Sequence, residues 1–252
     1  MTPSDADRRF GGLARLYGDA ALPRFAAAHV CVVGIGGVGS WAVEALARSG
    51  IGRLTLIDLD HVAESNLNRQ IHALESTLGQ AKVLAMRERI AGINPGCNVT
   101  TIEEFITVEN AAELLPVCDC VIDAIDQVRP KAALIAHCRA QGIPVITTGA
   151  AGGKRDPAQL RVDDLSRTTQ DPLASKLRAT LRRDYGFPRD PKKRFGVECV
   201  YSVEPVWRPA TADFCDAAPA GLSCAGYGSS VCVTGGFGFA AASRALALIL
   251  DA

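Results

Sequence analysis

The first 150 residues alternate between short apolar runs and longer segments with helical spacing. His29–Val33 is an apolar run of strand length. A glycine turn follows, then a helical stretch over Ser40–Ser49 that Gly50 stops. Arg53–Ile57 predicts the next strand, ending at Asp58, and Gln80–Ala91 predicts a helix closed by the Asn94-Pro95-Gly96 turn. Asn98–Ile102 is strand-like. Cys120–Ile125 reads as a buried strand with Asp126 at its carboxyl end, and Pro130 opens a helix running to about Gln141. Ile143–Thr147 is a further strand. Strands separated by helices at this spacing predict an α/β fold with a doubly wound, mainly parallel sheet.

The pattern changes after Gly149. Gln159–Val162 and Val197–Ser202 are strand-like. Asp171–Tyr185 is an amphipathic, basic helix with Asp171 at its N-cap and Pro172 at its first position. Pro205–Ser223 reads as a loop. Val231–Leu250 is apolar enough in length and composition to span a bilayer, but Gly235, Gly236, Gly238 and Arg244 point to a core or dimer helix without stable membrane insertion.

Lys+Arg and Asp+Glu both total 27, so the chain is not a uniformly basic nucleic-acid coat, and any polyanion site must be a local patch. Nine cysteines in 252 residues, an odd number without a secretory leader, read as thiols of a reduced cytoplasmic protein. No Cys-x-x-Cys pair occurs, so no zinc is expected.

Candidate chemistry begins at Gly34-Ile35-Gly36-Gly37-Val38-Gly39, which follows a strand and opens a helix. Glycines let the backbone approach a phosphate, and the helix N-terminus favours anions. Asp58 lies 19 residues past Gly39, where a carboxylate accepts from ribose hydroxyls. These features fit NAD, FAD and ATP alike. A triphosphate needs cations as well, and Arg69 and Lys82 follow, with Asp60, Asn66 and Gln70 between Asp58 and Lys82. Asp126 adds a carboxylate suited to magnesium. Each alone is more often a surface ion pair, a solvated helix residue or a cap; the set points to ATP with Mg2+.

Gly34–Gly39, Asp58-Leu59-Asp60, Asn66-x-x-Arg69-Gln70, Lys82 and Asp126 resemble the adenylation motif of the ubiquitin-activating-like superfamily. The resemblance implies a Rossmann-like fold over residues 8–252, with a nucleotide-binding core over 24–150 and a substrate-side extension over 151–252. It also implies roles: Asp58 on the ribose, Arg69 and Lys82 on the phosphates, Asp126 with magnesium, and Arg15 reaching the partner's ATP in a homodimer. Arg9-Phe10-Gly11-Gly12, Val121–Asp126, Val128–Lys131, Gln170–Ala174 and Val200-Tyr201-Ser202-x-Glu204 are similar to the tRNA threonylcarbamoyladenosine dehydratase branch. That branch implies ATP-dependent cyclisation of the modified adenosine through an acyl-adenylate. A cysteine desulfurase or sulfur-acceptor partner comes by family association alone.

Lys154 to Arg194 carries twelve Lys/Arg against six Asp. Within it Lys176, Arg178, Arg182, Arg183, Lys192, Lys193 and Arg194 could grip tRNA phosphates, or form an ordinary solvated helix face and a basic loop. Cys199, Cys215 and Cys224 lie where some relatives hold an acyl-accepting thiol, but no activating motif accompanies them. The competing readings are an activator of a ubiquitin-like sulfur carrier, which the missing Cys pairs and the basic stretch oppose, a non-catalytic scaffold, and a nicotinamide dehydrogenase.

Overall fold

The computed structural model describes residues 5–207 and 227–251, so most of the expected Pro205–Ser223 loop, with Cys215 and Cys224, lies outside the described residues. Seven strands form one sheet: β1 (His29–Val33), β2 (Arg53–Ile57), β3 (Asn98–Ile102), β4 (Cys120–Asp123), β5 (Val145–Thr148), β6 (Leu160–Asp164) and β7 (Glu198–Ser202). Their order is β3-β2-β1-β4-β5-β7-β6, and β6 alone is antiparallel. The chain reverses its winding between β1 and β4, where a doubly wound sheet opens its ligand crevice at the carboxyl ends of the strands.

The strands are apolar on both faces because both are covered. Val30, Val32, Leu54, Leu56 and Ile122 meet α3 (Gly39–Arg48), α4 (Lys82–Ile93) and α8 (Val231–Asp251). Cys31, Val33, Ile57 and Val121 face the other way, toward α5 (Ala111–Leu114), α6 (Val128–Gln141) and α7 (Pro172–Asp184). The membrane-length segment is α8, and 56% of its apolar window is buried inside the fold. Its small residues serve close packing: a Cβ on Gly238 would stand 2.5 Å from the Val38 carbonyl oxygen of the α3 turn. Arg244 is held by a bidentate pair to Glu198 at 2.7 and 2.8 Å.

Two differences from the sequence reading have local causes. The strand β4 ends at Asp123, not Ile125, because Ile125 N–H turns back to the Asp123 side chain at 3.1 Å and Lys131 Nζ captures the Ile125 carbonyl at 2.9 Å. Two N-terminal helices, α1 (Asp5–Tyr17) and α2 (Ala21–Ala27), were not foreseen. Gly11-Gly12 inside α1 disfavours a helix, yet Phe10 docks the helix on Gly50 at the amino edge of the sheet.

Candidate functional site

The glycine turn joins β1 to α3 in one obligatory geometry. Gly34 has φ +86°, and a Cβ on Gly39 would meet the Gly34 carbonyl oxygen at 1.8 Å. Asp58, at the end of β2, fixes this turn: its carboxylate accepts from Ile35 N–H at 2.6 Å and from Asp60 N–H at 2.8 Å. Burial pushes the Asp58 carboxyl above its ordinary range, opposed by Lys82 and by those two N–H groups. Each oxygen keeps a lone pair for a ribose hydroxyl.

Lys82 opens α4 and lies almost wholly buried, with Nζ on the half-exposed Asp60 carboxylate at 2.7 Å. Asn66 caps Ala63 N–H through its side-chain oxygen at 3.1 Å, shaping the turn that carries Arg69. The Arg69 stem lies over Gly37, 3.3 Å from where a Cβ would be, and its guanidinium donates to Ser65 O at 2.6 Å and Asn68 Oδ1 at 2.9 Å. Gln70 is buried beside Gly36, and among the described residues its Oε1 has no partner. A buried acceptor without a donor beside a phosphate turn fits a nucleotide that brings the donor.

Asp126 lies in the loop after β4, half-buried, and among the described residues its carboxylate has no hydrogen-bond or ion-pair partner. It does not cap α6, whose cap residue is Gln127. An unpartnered carboxylate at the switch point fits a hard cation with oxygen ligands. The loop is held from below by a group the sequence reading gave no role. Asp123 and Lys131 pair at 2.9 Å with side chains 0% and 1% exposed, and Thr147 Oγ1 donates to the same carboxylate at 2.7 Å.

The remaining candidates divide. Arg15 is exposed on α1, and among the described residues no hydrogen bond or ion pair joins it to this chain's own phosphate turn. Arg178 and Arg182 turn inward: Arg178 donates to Thr168 Oγ1, and Arg182 donates to Pro188 O while lying over the Phe195 ring at 5.1 Å. Arg183 is exposed but bidentate to Asp184, and Lys176, Lys192, Lys193 and Arg194 are exposed. The Lys192–Arg194 cluster precedes β7, at the amino edge of the sheet. It is therefore one strand length from the carboxyl edge, about 17 Å for five residues. Cys199 is fully buried and burial holds its thiol protonated, so it is no acyl acceptor.

His72, two residues past Gln70, is buried, and among the described residues neither ring nitrogen has a partner. Burial, with Lys82 and Arg89 nearby, lowers its pKa from 6.5 to about 4. The folded chain holds it neutral, while the unfolded chain protonates it below 6.5, so it costs stability progressively as pH falls from 6.5 to about 4. Urea unfolding of His72→Leu is expected to gain on wild type by up to ~3 kcal/mol across that range. A difference that stays constant with pH would contradict this assignment.

The ThiF family profile matches residues 10–250. The chain is 54% identical to the tRNA threonylcarbamoyladenosine dehydratase of Escherichia coli (strain K12), over 96% of this chain and 94% of that one. The crystal structure of the E. coli tRNA N6-threonylcarbamoyladenosine dehydratase with ATP superposes with a TM-score of 0.90 at 52% identity, covering 100% of this chain and 98% of that one. Its complex with AMP superposes at 0.89 with the same identity and coverage. With that glycine turn, the Asp58 carboxylate that fixes it and full-length likeness, the chain belongs to the ThiF family, on the tRNA threonylcarbamoyladenosine dehydratase branch.

Proposed function

We propose that this protein dehydrates N6-threonylcarbamoyladenosine at position 37 of tRNA, consuming ATP and releasing AMP and pyrophosphate. The carrying observation is the placement of Asp126, an unpartnered carboxylate across the β1–β4 switch point from a complete phosphate turn. The full-length likeness to a tRNA-modifying relative supplies the substrate. Residues 8–252 act as one adenylating unit.

The reaction follows from charge. The threonine carboxylate of the modified base attacks the α-phosphate of ATP, and pyrophosphate leaves. The carboxylate and the phosphates repel, so attack needs cations around the triphosphate and fixed orientation. Asp58 orients the ribose through its free lone pairs. Arg69 reaches the phosphates from above Gly37, and Lys82 turns from Asp60 to the anionic substrate. Gln70 receives a donor from the bound nucleotide. Asp126 would hold Mg2+, which supplies screening of phosphate charge when bound. A nitrogen or oxygen of the threonylcarbamoyl group then attacks the activated carbonyl and gives up its proton to water, the acyl bond to AMP breaks, and the ring closes. Because the attack is intramolecular, no nucleophilic side chain is needed. The protein works in the cytoplasm as a homodimer in which Arg15 reaches the partner's nucleotide.

This route leaves an isotopic trace. The oxygen that attacks phosphorus departs with AMP, so tRNA labelled with 18O in the threonine carboxylate should yield AMP carrying one 18O. Labelled AMP supports carboxylate adenylation. Unlabelled AMP with dehydrated nucleoside would overturn it, and AMP formation dependent on a ubiquitin-like carrier protein instead of tRNA would favour carrier activation.

A further inference from the structure

The half of the carboxyl edge beyond β4 carries a second built feature, made from the segments that follow β5 and β7. Lys154 is buried, and its ammonium donates to the carbonyls of Gln170, at 2.9 Å, and of Glu204. The Glu204 carboxylate accepts from the backbone N–H groups of Arg155 at 2.9 Å and Asp156 at 3.0 Å. Trp207 N–H donates to Gly153 O at 2.8 Å, and Gly153 N–H to Gly228 O at 3.0 Å. Four stretches of chain are thereby fastened together about one buried amine.

That frame presents two side chains outward. The Arg155 guanidinium lies 3.5 Å from the centroid of the Trp207 ring, and Trp207 remains 44% exposed. Among the described residues the guanidinium has no carboxylate partner. Core packing does not explain an indole left this open. A braced arginine against a partly open aromatic ring is a surface on which a flat, electron-rich ring stacks, with the cation adding attraction to both.

Position selects the ligand. The strand β7 is two strands from β4, about 10 Å at ordinary strand spacing, so the pair stands beside the Asp126 loop on the same sheet edge. The reacting adenosine must reach that edge. Unstacked bases of single-stranded RNA loops are bound by stacking on aromatic and arginine planes. We infer that Arg155 and Trp207 form a stacking platform for a single-stranded nucleobase next to the reacting adenosine. This rests on the tRNA reading above. The platform accepts different bases, because stacking uses the face every base shares. The exposed Lys192–Arg194 cluster, one strand length away, is then placed for phosphates farther along the RNA.

The test is steady-state dehydration of threonylcarbamoyladenosine-bearing tRNA by the full-length protein and its Trp207→Ala, Trp207→Leu, Trp207→Phe and Arg155→Ala variants. Loss of one stacked base should raise KM for tRNA roughly 5- to 150-fold in Trp207→Ala, leaving kcat and KM for ATP within about twofold. Trp207→Phe should recover most of the loss, Trp207→Leu little of it, and Arg155→Ala should fall between. Unchanged tRNA KM in Trp207→Ala, or equal recovery by Leu and Phe, overturns stacking; the latter marks a plain apolar contact such as a protein-docking site would make. Should wild type leave the tRNA unmodified, the parent reading fails, and binding of an unmodified anticodon stem-loop without ATP judges the platform alone. Equal binding by wild type and Trp207→Ala would sink it.

Discussion

Replacing Asp126 by alanine should lower tRNA-dependent AMP formation by about 10²–10³-fold, the loss typical of removing one preorganised group that stabilises developing charge. The fold should not notice. Asp126 is half-exposed, caps no helix and makes no hydrogen bond or ion pair among the described residues, so no stabilising interaction disappears. Thermal melting within about 2 °C of wild type together with a collapsed turnover is the expected pair of results, since surface changes of this kind fall within about 0.5 kcal/mol. ATP affinity measured without magnesium should stay close to wild type, because Asp58, Arg69 and Lys82 are untouched. Retained turnover in Asp126→Ala would remove the residue from the chemistry.

The second large effect is structural. Lys131→Met should destabilise the protein by about 3–5 kcal/mol, because it leaves the Asp123 carboxylate buried without its countercharge. At roughly 2–4 °C per kcal/mol for a chain of this size, melting should fall by about 6–20 °C. The amine also holds the carbonyls of Asp123 and Ile125, so the loop carrying Asp126 loses its anchor. Activity should therefore fall further than the remaining folded fraction accounts for. The double variant Asp123→Leu, Lys131→Met removes the stranded charge and should recover much of the stability but not the rate. Melting of Lys131→Met within 2 °C of wild type would contradict the pair's structural role.

The parallel core was legible because β1, β2 and β4 are nearly continuous apolar runs, which only a sheet covered on both faces tolerates. The end of β4 was misread for the same reason: Ala124 and Ile125 continue the apolar run, and only Lys131, on the following helix, shows where the chain turns. The glycine turn between β1 and α3 was legible through residue type and spacing, and the fold brings Asp58 and Arg69 onto it. The Asp123–Lys131 pair was not, because nothing in a strand aspartate and a helix lysine announces that both are buried. His72 resembled any loop histidine until its enclosure was visible. The basic run is one stretch in the sequence and several places in the fold. Counting charges treats it as one patch, whereas packing turns Arg178 and Arg182 inward and the path of the chain puts Lys192–Arg194 at the amino edge of the sheet. Trp207 and Arg155 carried no signal, since two residues 52 apart in the chain meet only in the fold.

The central claim, ATP-driven loss of water from a modified adenosine, is tested most directly by nucleoside mass spectrometry. Purified protein is incubated with Mg-ATP and tRNA bearing threonylcarbamoyladenosine, and the digested nucleosides are weighed. The account predicts conversion to a nucleoside lighter by one water, with AMP formed in equal amount. Unchanged threonylcarbamoyladenosine, with the protein folded and ATP bound, would contradict it.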